Sequence, residues 1–533
     1  MAFYSITTLS KKFSSAVSQL PAAIKAAEQL VSATIRYAAP VVSAVVITAA
    51  ALHSFPTAAQ EEIGTLRQKT LSEVHNDLHI GCEALDRGYA DYDAYKSYLE
   101  PLGMRYIRIQ AGWARCERKK GVYNFKWLDR IINDAVSRGL EPWLEASYGN
   151  PIYKGGGTAY IDGGWPTSDE ALQAWDQWVR SLAERYKGKV HTWEIWNEPD
   201  ELLDPYAGKV NGKHQYKPRR EGAFEELVDL QIRTASIIKE IDPDAVIASC
   251  GLARLNPSLI DELVTAYQAA GKEHLFDYIT YHGYKYRPED MYPLVAKMQE
   301  VLDKHHSTIK LWQGESGAPS RANSGGALRD YQWSETSQAK WDLRRILGDK
   351  GRGIRSGLYT IVDHNYARSK AAKGLLETNE FHQVIGEKQA YGAMRNLVSI
   401  YDLLDLSLST DGIDADTDGH ISKFLFKDTE TGVVSAVLWL DDNRPDDSEE
   451  MTPTEVRISG TAFQEPVAVD LRTGKIYRID TGGHSSAANP NTQPFSSQTK
   501  PDKDTAKKVV LQTLTNVPLY DSPVLITELS AIL

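Results

Sequence analysis

Residues 190–199 read VHTWEIWNEP. Trp193, Glu194 and Ile195 alternate apolar, polar and apolar, the period-two pattern of a strand, and the run stops on Asn197, Glu198 and Pro199. A carboxylate at the carboxyl end of a strand is placed for chemistry if that strand belongs to a parallel α/β barrel. Whether it does is decided by what lies on either side.

Seven further runs of the same kind flank it: LHIGCE (78–83), RYIRIQ (105–110), EPWLEAS (141–147), AVIASC (245–250), FDYITYH (276–282), IKLWQGES (309–316) and SGLYTIVD (356–363). Between them stand segments such as DYDAYKSYLEPLG (91–103) and SDEALQAWDQWVRSLAERYKG (168–188). Their apolar residues recur every three or four positions, and they end in Gly, a common helix stop. Eight alternating units predict an α/β chain with a (β/α)8 barrel, which typically takes about 250 residues. Past Tyr401 the periodicity shortens to two and turn residues multiply, which predicts an antiparallel β-sandwich. The stretch KQAYGAMRNLVSIYD (388–402) predicts the helix between the two, and the polar run at 481–505 predicts a mobile loop. The expected domains are therefore a leader at 1–59, a barrel at 60–395 and a sandwich at 396–533.

In the leader, Lys11, Lys12 and Lys25 precede an apolar run at 37–52, followed by small residues around Ala59. The run is short for a membrane span, which needs roughly 20 residues. An export signal cleaved after Ala59 is the first expectation, placing the mature chain in the periplasm or outside the cell. A retained anchor, and with it membrane association, is the second. The net charge of −11 and the lack of a basic stripe exclude nucleic acid as a natural partner. Three cysteines without metal-site spacing suggest neither a disulfide framework nor a zinc centre. The DADTDG run at 414–419 lacks the distal Glu of a calcium loop and predicts a polar turn.

A single strand-end acid does little; a pair can cleave an acetal. In double displacement one carboxyl group protonates the leaving oxygen while a carboxylate attacks the anomeric carbon, with the two roughly 5–5.5 Å apart. Glu315 ends the seventh run, three βα units after Glu198. Strands four and seven of such a barrel face each other across its mouth.

With both acids in view, WEIWNEP and the strand-end GES resemble the motifs of glycoside hydrolase clan A, the retaining (β/α)8 glycosidases. The resemblance covers the barrel part of the chain. It implies Glu198 as acid/base and Glu315 as nucleophile, with Asn197 on the sugar 2-hydroxyl and Arg108 beside the nucleophile. It also implies that His282 and Tyr284 end strand six, with the Tyr284 hydroxyl on Glu315. Position at the mouth after strands two and three adds Trp113, Gln110, Tyr148 and Asn150 as candidate sugar contacts. The clan's usual tryptophan after strand eight is missing from YTIVDHNYARS (359–369). That leaves Asp363 or His364 to meet a sugar hydroxyl, or a floor supplied from elsewhere.

The resemblance, strongest to xylosidase-type and cellulase-type members through GWARCERKKGVYNF (112–125), implies hydrolysis of a plant- or algal-type poly- or oligosaccharide. It implies no cofactor and no metal. An inactive carbohydrate-binding barrel and a transglycosylase using the same intermediate are the alternatives.

Overall fold

The structure is a computed structural model that describes residues 60–161, 163–210, 213–366, 369–482 and 511–533. Only the backbone is described for 206–210 and 213–214. The leader and residues 483–505 of the polar loop lie outside the described residues. Among the described residues no helix is long and apolar enough to cross a membrane.

The eight predicted runs form eight parallel strands: β1 (His79–Gly81), β2 (Tyr106–Gln110), β3 (Glu141–Ala146), β4 (Thr192–Ile195), β5 (Val246–Ala248), β6 (Tyr278–Tyr281), β7 (Lys310–Gln313) and β8 (Gly357–Leu358). Each pairs with its sequence neighbour from β1 to β7, and β8 pairs with β1. A parallel bridge between Trp312 and Arg355 closes the remaining seam. The helices between strands carry the local signals that the sequence offers. Ser168 accepts from the Ala171 N–H at the start of the Asp169–Tyr186 helix, a cap worth about 1 kcal/mol. Gly103 ends the Tyr92–Leu102 helix at φ 80°, where a Cβ is disfavoured.

Alternation along the strands sorts their side chains. Ile107, Ile109, Leu144, Trp193, Ile195 and Ile279 are fully or almost fully buried among the apolar side chains of the core. The other set fills the barrel axis as a column. Arg355 lies 4.0 Å from the centroid of Trp312, Trp312 stacks on Trp143 at 4.3 Å, and His79 meets Trp143 edge-on at 4.8 Å. The guanidinium of Arg108 follows at 5.6 Å from the Trp143 ring. The axis is thus packed with rings up to the level at which charge begins.

The C-terminal region is the expected sandwich, a seven-stranded and a four-stranded antiparallel sheet enclosing an apolar core around Leu438, Val456, Leu514 and Ile526. One strand was not foreseen. Residues Glu62–Thr65, assigned with the barrel from sequence, pair antiparallel with Lys475–Tyr477 and form an edge of the larger sheet. The sandwich does not stand apart: Phe426, Trp439 and Val469 share one apolar cluster with the barrel helices. Trp439 Nε1 donates to Glu289 at 2.9 Å, and Lys340 pairs with Asp521 at 2.5 Å.

Candidate active site

Beyond Ile195 the chain must leave β4 and still present a carboxylate to the axis. Trp196 and Glu198 do this at φ 71° and 48°. That left-handed region costs a residue with a Cβ about 1–2 kcal/mol and recurs at functional sites. The neighbouring strands hold the turn. Trp196 N donates to Ala146 O at 3.1 Å, and Glu198 N donates to Gly251 O at 2.7 Å. Gly251 has to be glycine for this approach, since a Cβ there would meet Glu194 Oε1 and His282 Nε2, each at 2.9 Å. Asp200 ties the next turn down by accepting from Ala253 N and Arg254 N.

Glu198 and Glu315 meet over one cavity of about 470 Å³. One oxygen of each, together with a ring nitrogen of His282, lies within 4.8 Å of the others. His282 Nδ1 is 2.9 Å from Glu198 Oε1 and 3.8 Å from Glu315 Oε2. Tyr284 Oη donates to Glu315 Oε1 at 2.7 Å, and Arg108 Nη1 lies 3.4 Å from Glu315 Oε2.

Arg108 organises the floor of this site. A guanidinium has five N–H donors, and its three nitrogens here reach five acceptors. Nε donates to Glu194 at 2.7 Å. Nη2 donates to Glu145 at 2.5 Å and to Asn197 Oδ1 at 2.9 Å. Nη1 donates to Glu83 as well as to Glu315. Asn197 is thereby fixed, its Nδ2 donating to Tyr148 Oη at 3.0 Å, which also accepts from Gln110 at 3.1 Å.

So many buried acids around one cation cannot all stay charged easily. Burial pushes Glu83 up to about 8 and Glu145 up to about 7, against the pull of Arg108. Glu315 goes the other way. Burial would raise it, but the charges of His282 and Arg108, the Tyr284 hydrogen bond and the charge of Lys373 together lower it. His282 is opposed by burial yet pushed up to about 9 by Glu315 and by its bond to Glu198. The site therefore presents a charged Glu315 beside a cationic imidazole.

The structure brings Glu198, Glu315, Asn197, Tyr148, Gln110 and Tyr284 to the cavity wall, with Arg108 and His282 directly behind it. It places four predicted contacts elsewhere. Trp113 is fully buried, lies 5.5 to 5.9 Å from Tyr153, Trp175 and Trp178, and donates its Nε1 to Glu117. Asn150 donates to Glu117 O at 2.8 Å and accepts from Ile152 N, so it shapes its own loop. Asp363 is 2 % exposed, paired with Lys388 at 2.5 Å and Lys370 at 3.2 Å, and it accepts from Gly374 N. Its office is to anchor the hairpins after β8. His364 is buried against Tyr359 Oη at 2.6 Å, and burial pushes it down to about 3, so it is neutral.

Sequence reasoning missed the aromatic pair Tyr359 and Tyr366, whose hydroxyls lie 2.7 Å apart at the wall, and Lys373. Tyr359 could have been found as the residue that directly follows β8; no local signal marks Lys373.

Fold and site together are those of a (β/α)8 barrel with two acids over one cavity, and they resemble glycoside hydrolase clan A. Residues 80–308 match the family model Glycosyl hydrolases family 39. A β-xylosidase of Geobacillus stearothermophilus is 25% identical over 224 residues, which is 38% of this chain and 40% of that protein. A family 39 glycoside hydrolase from the gut symbiont Bacteroides cellulosilyticus WH2 superposes at TM-score 0.56 with 15% identity, covering 87% of this chain and 83% of that one. A monomeric β-xylosidase from Caulobacter crescentus CB15 superposes at 0.51 with 16% identity over 88% and 98% of the two chains. At these identities the superpositions speak for the fold alone. The stretch aligned to the curated relative spans two fifths of that protein's length.

Proposed function

We propose that the chain is a retaining glycoside hydrolase. The observation that carries this is the approach of Glu198 and Glu315 to within 4.8 Å across one cavity. Two carboxyl groups that close match a retaining pair rather than an inverting one, whose separation of about 6.5–9.5 Å seats the attacking water beside the sugar. Glu315, held charged, attacks the anomeric carbon while Glu198 delivers a proton to the departing oxygen. Water then attacks the glycosyl ester, Glu198 takes its proton, and Glu315 is released as carboxylate. Asn197 and Tyr148 line the same cavity, and in this reading they bind the hydroxyl next to the anomeric carbon.

The substrate class we propose is a plant- or algal-type poly- or oligosaccharide, β-xylosides first. Support comes from the stretch shared with a β-xylosidase and from the clan resemblance. We also propose export, resting on the apolar run at 37–52 and the small residues around Ala59.

A panel of aryl β-glycosides with product stereochemistry read by NMR tests the reaction. Turnover with net retention is expected, and inversion or no turnover overturns the proposal. Products carrying an added acceptor sugar would identify a transferase. Fractionation of expressing cells tests export, which predicts activity outside the cytoplasm.

A further inference from the structure

Lys373 is buried, 3 % exposed, at the wall of the cavity that holds both acids. Among the described residues its ammonium makes one hydrogen bond, from Nζ to Gly317 O at 2.8 Å, and no carboxylate is its ion-pair partner. Other buried lysines differ: Lys388 pairs with Asp363 and Lys340 with Asp521. An unpaired buried ammonium is costly and calls for a compensating contact. Lys373 finds one 3.9 Å from the centroid of Tyr284, the tyrosine that donates to Glu315.

We propose that Lys373 is a positioning residue for the nucleophile, acting on Glu315 through Tyr284 and through the Gly317 carbonyl. A cation over the face of a phenol withdraws electron density and makes its hydroxyl a stronger donor. The same ammonium pins the loop two residues past Glu315. It thus favours the charged carboxylate twice, by its own field and by strengthening the Tyr284 hydrogen bond. This inference rests on the double-displacement reading.

The groups facing Lys373 come from four elements: Glu198 after β4, Tyr284 after β6, Glu315 after β7 and Asp342 on the Glu335–Lys350 helix. Burial lowers Lys373 to about 7, while the three carboxyl groups oppose that fall. Asp342 is itself pushed up to about 8 by burial. When Glu315 becomes a neutral ester, the largest support for the ammonium disappears. The charge on Lys373 is therefore tied to the stage of the reaction.

The test uses the full chain and an aryl glycoside from the panel. Lys373→Met should lower kcat about tenfold with KM within about twofold, and move the acid limb of kcat/KM up by about one pH unit. Lys373→Arg should bring the limb back toward the wild-type position. In a Tyr284→Phe background, Lys373→Met should cost much less than it does alone, because part of its effect passes through the lost hydroxyl. Should the Met variant not fold, Lys373→Gln, which can still donate to Gly317 O, is read in the same way. An unmoved acid limb, a loss that Arg does not recover, or full additivity with Tyr284→Phe overturns the proposal. Glu315→Ala with azide rescue is run alongside. If that variant keeps full turnover, the reading beneath falls; if it behaves as a nucleophile variant while Lys373→Met keeps the wild-type limb, only this inference falls.

Discussion

The two ends of the barrel hold a guanidinium by opposite means. At the amino ends of the strands, Arg355 lies among rings, 4.0 Å from Trp312, 5.0 Å from Tyr106 and 5.7 Å from Tyr278, with Asp77 at 3.6 Å. At the carboxyl ends, Arg108 is bound by four carboxylates and an amide. Faces of π electrons compensate a cation without needing protons or partners of their own. Carboxylates compensate more strongly but bring charges that must in turn be managed. The first arrangement closes a barrel; the second helps to hold the Glu315 carboxylate charged in a buried site.

The contrast can be broken by substitution, and the largest effect belongs at the charged end. Glu315→Ala should reduce turnover by about 10⁴-fold or more, with azide restoring a product of inverted configuration. Undiminished turnover would remove the functional meaning of the charged end. Glu198→Gln should cost about 10²–10⁴-fold on poor leaving groups while sparing the first step with dinitrophenyl substrates, seen as a burst. Arg108→Met should destabilise by about 3–5 kcal/mol, because it strands buried acids without their cation. Urea titration measures this.

His282 gives a pH signature. Its folded value of about 9 stands above the ordinary 6.5, so the stability it contributes is complete below about 6.5 and is lost as pH rises through about 9. His282→Gln should flatten the alkaline fall in Tm, and a fall of unchanged slope would mean the imidazole is not the titrating group. The smallest effect is expected at the aromatic end. Arg355→Met should cost about 0.5–2 kcal/mol and leave kcat/KM unchanged. A comparable loss of activity there would erase the distinction between the ends.

Much of the barrel was legible because its alternation is local. Trp143 and Glu145, or Trp193 and Glu194, declare their faces two residues at a time. The two acids were legible because each lies within three residues of a strand's end. Arg108, two residues before the end of β2, was offered by the resemblance, but the carboxylates that converge on it come from four separate segments. No single stretch carries that information. Trp113 and Asn150 went astray because they lie in loops, where position at the mouth does not say which way a side chain turns. Trp113 follows Gly112 at φ 60°, a turn that seats the indole in the core. Lys373 was invisible since its place depends on hairpins anchored by Asp363. The strand at Glu62–Thr65 was missed because four residues show little periodicity and its partner lies at the far side of the sequence.

That early strand has a consequence for how the protein is made. Its partner, Lys475–Tyr477, emerges from the ribosome only after the whole barrel has been synthesised, a delay of about 20–80 s at ordinary elongation rates. Until then Glu62–Thr65 waits as an unclaimed edge, open to foreign pairing. Synthesis past residue 477 is thus what claims this strand, and a nascent chain stalled before residue 475 should be a ready client for holdase chaperones.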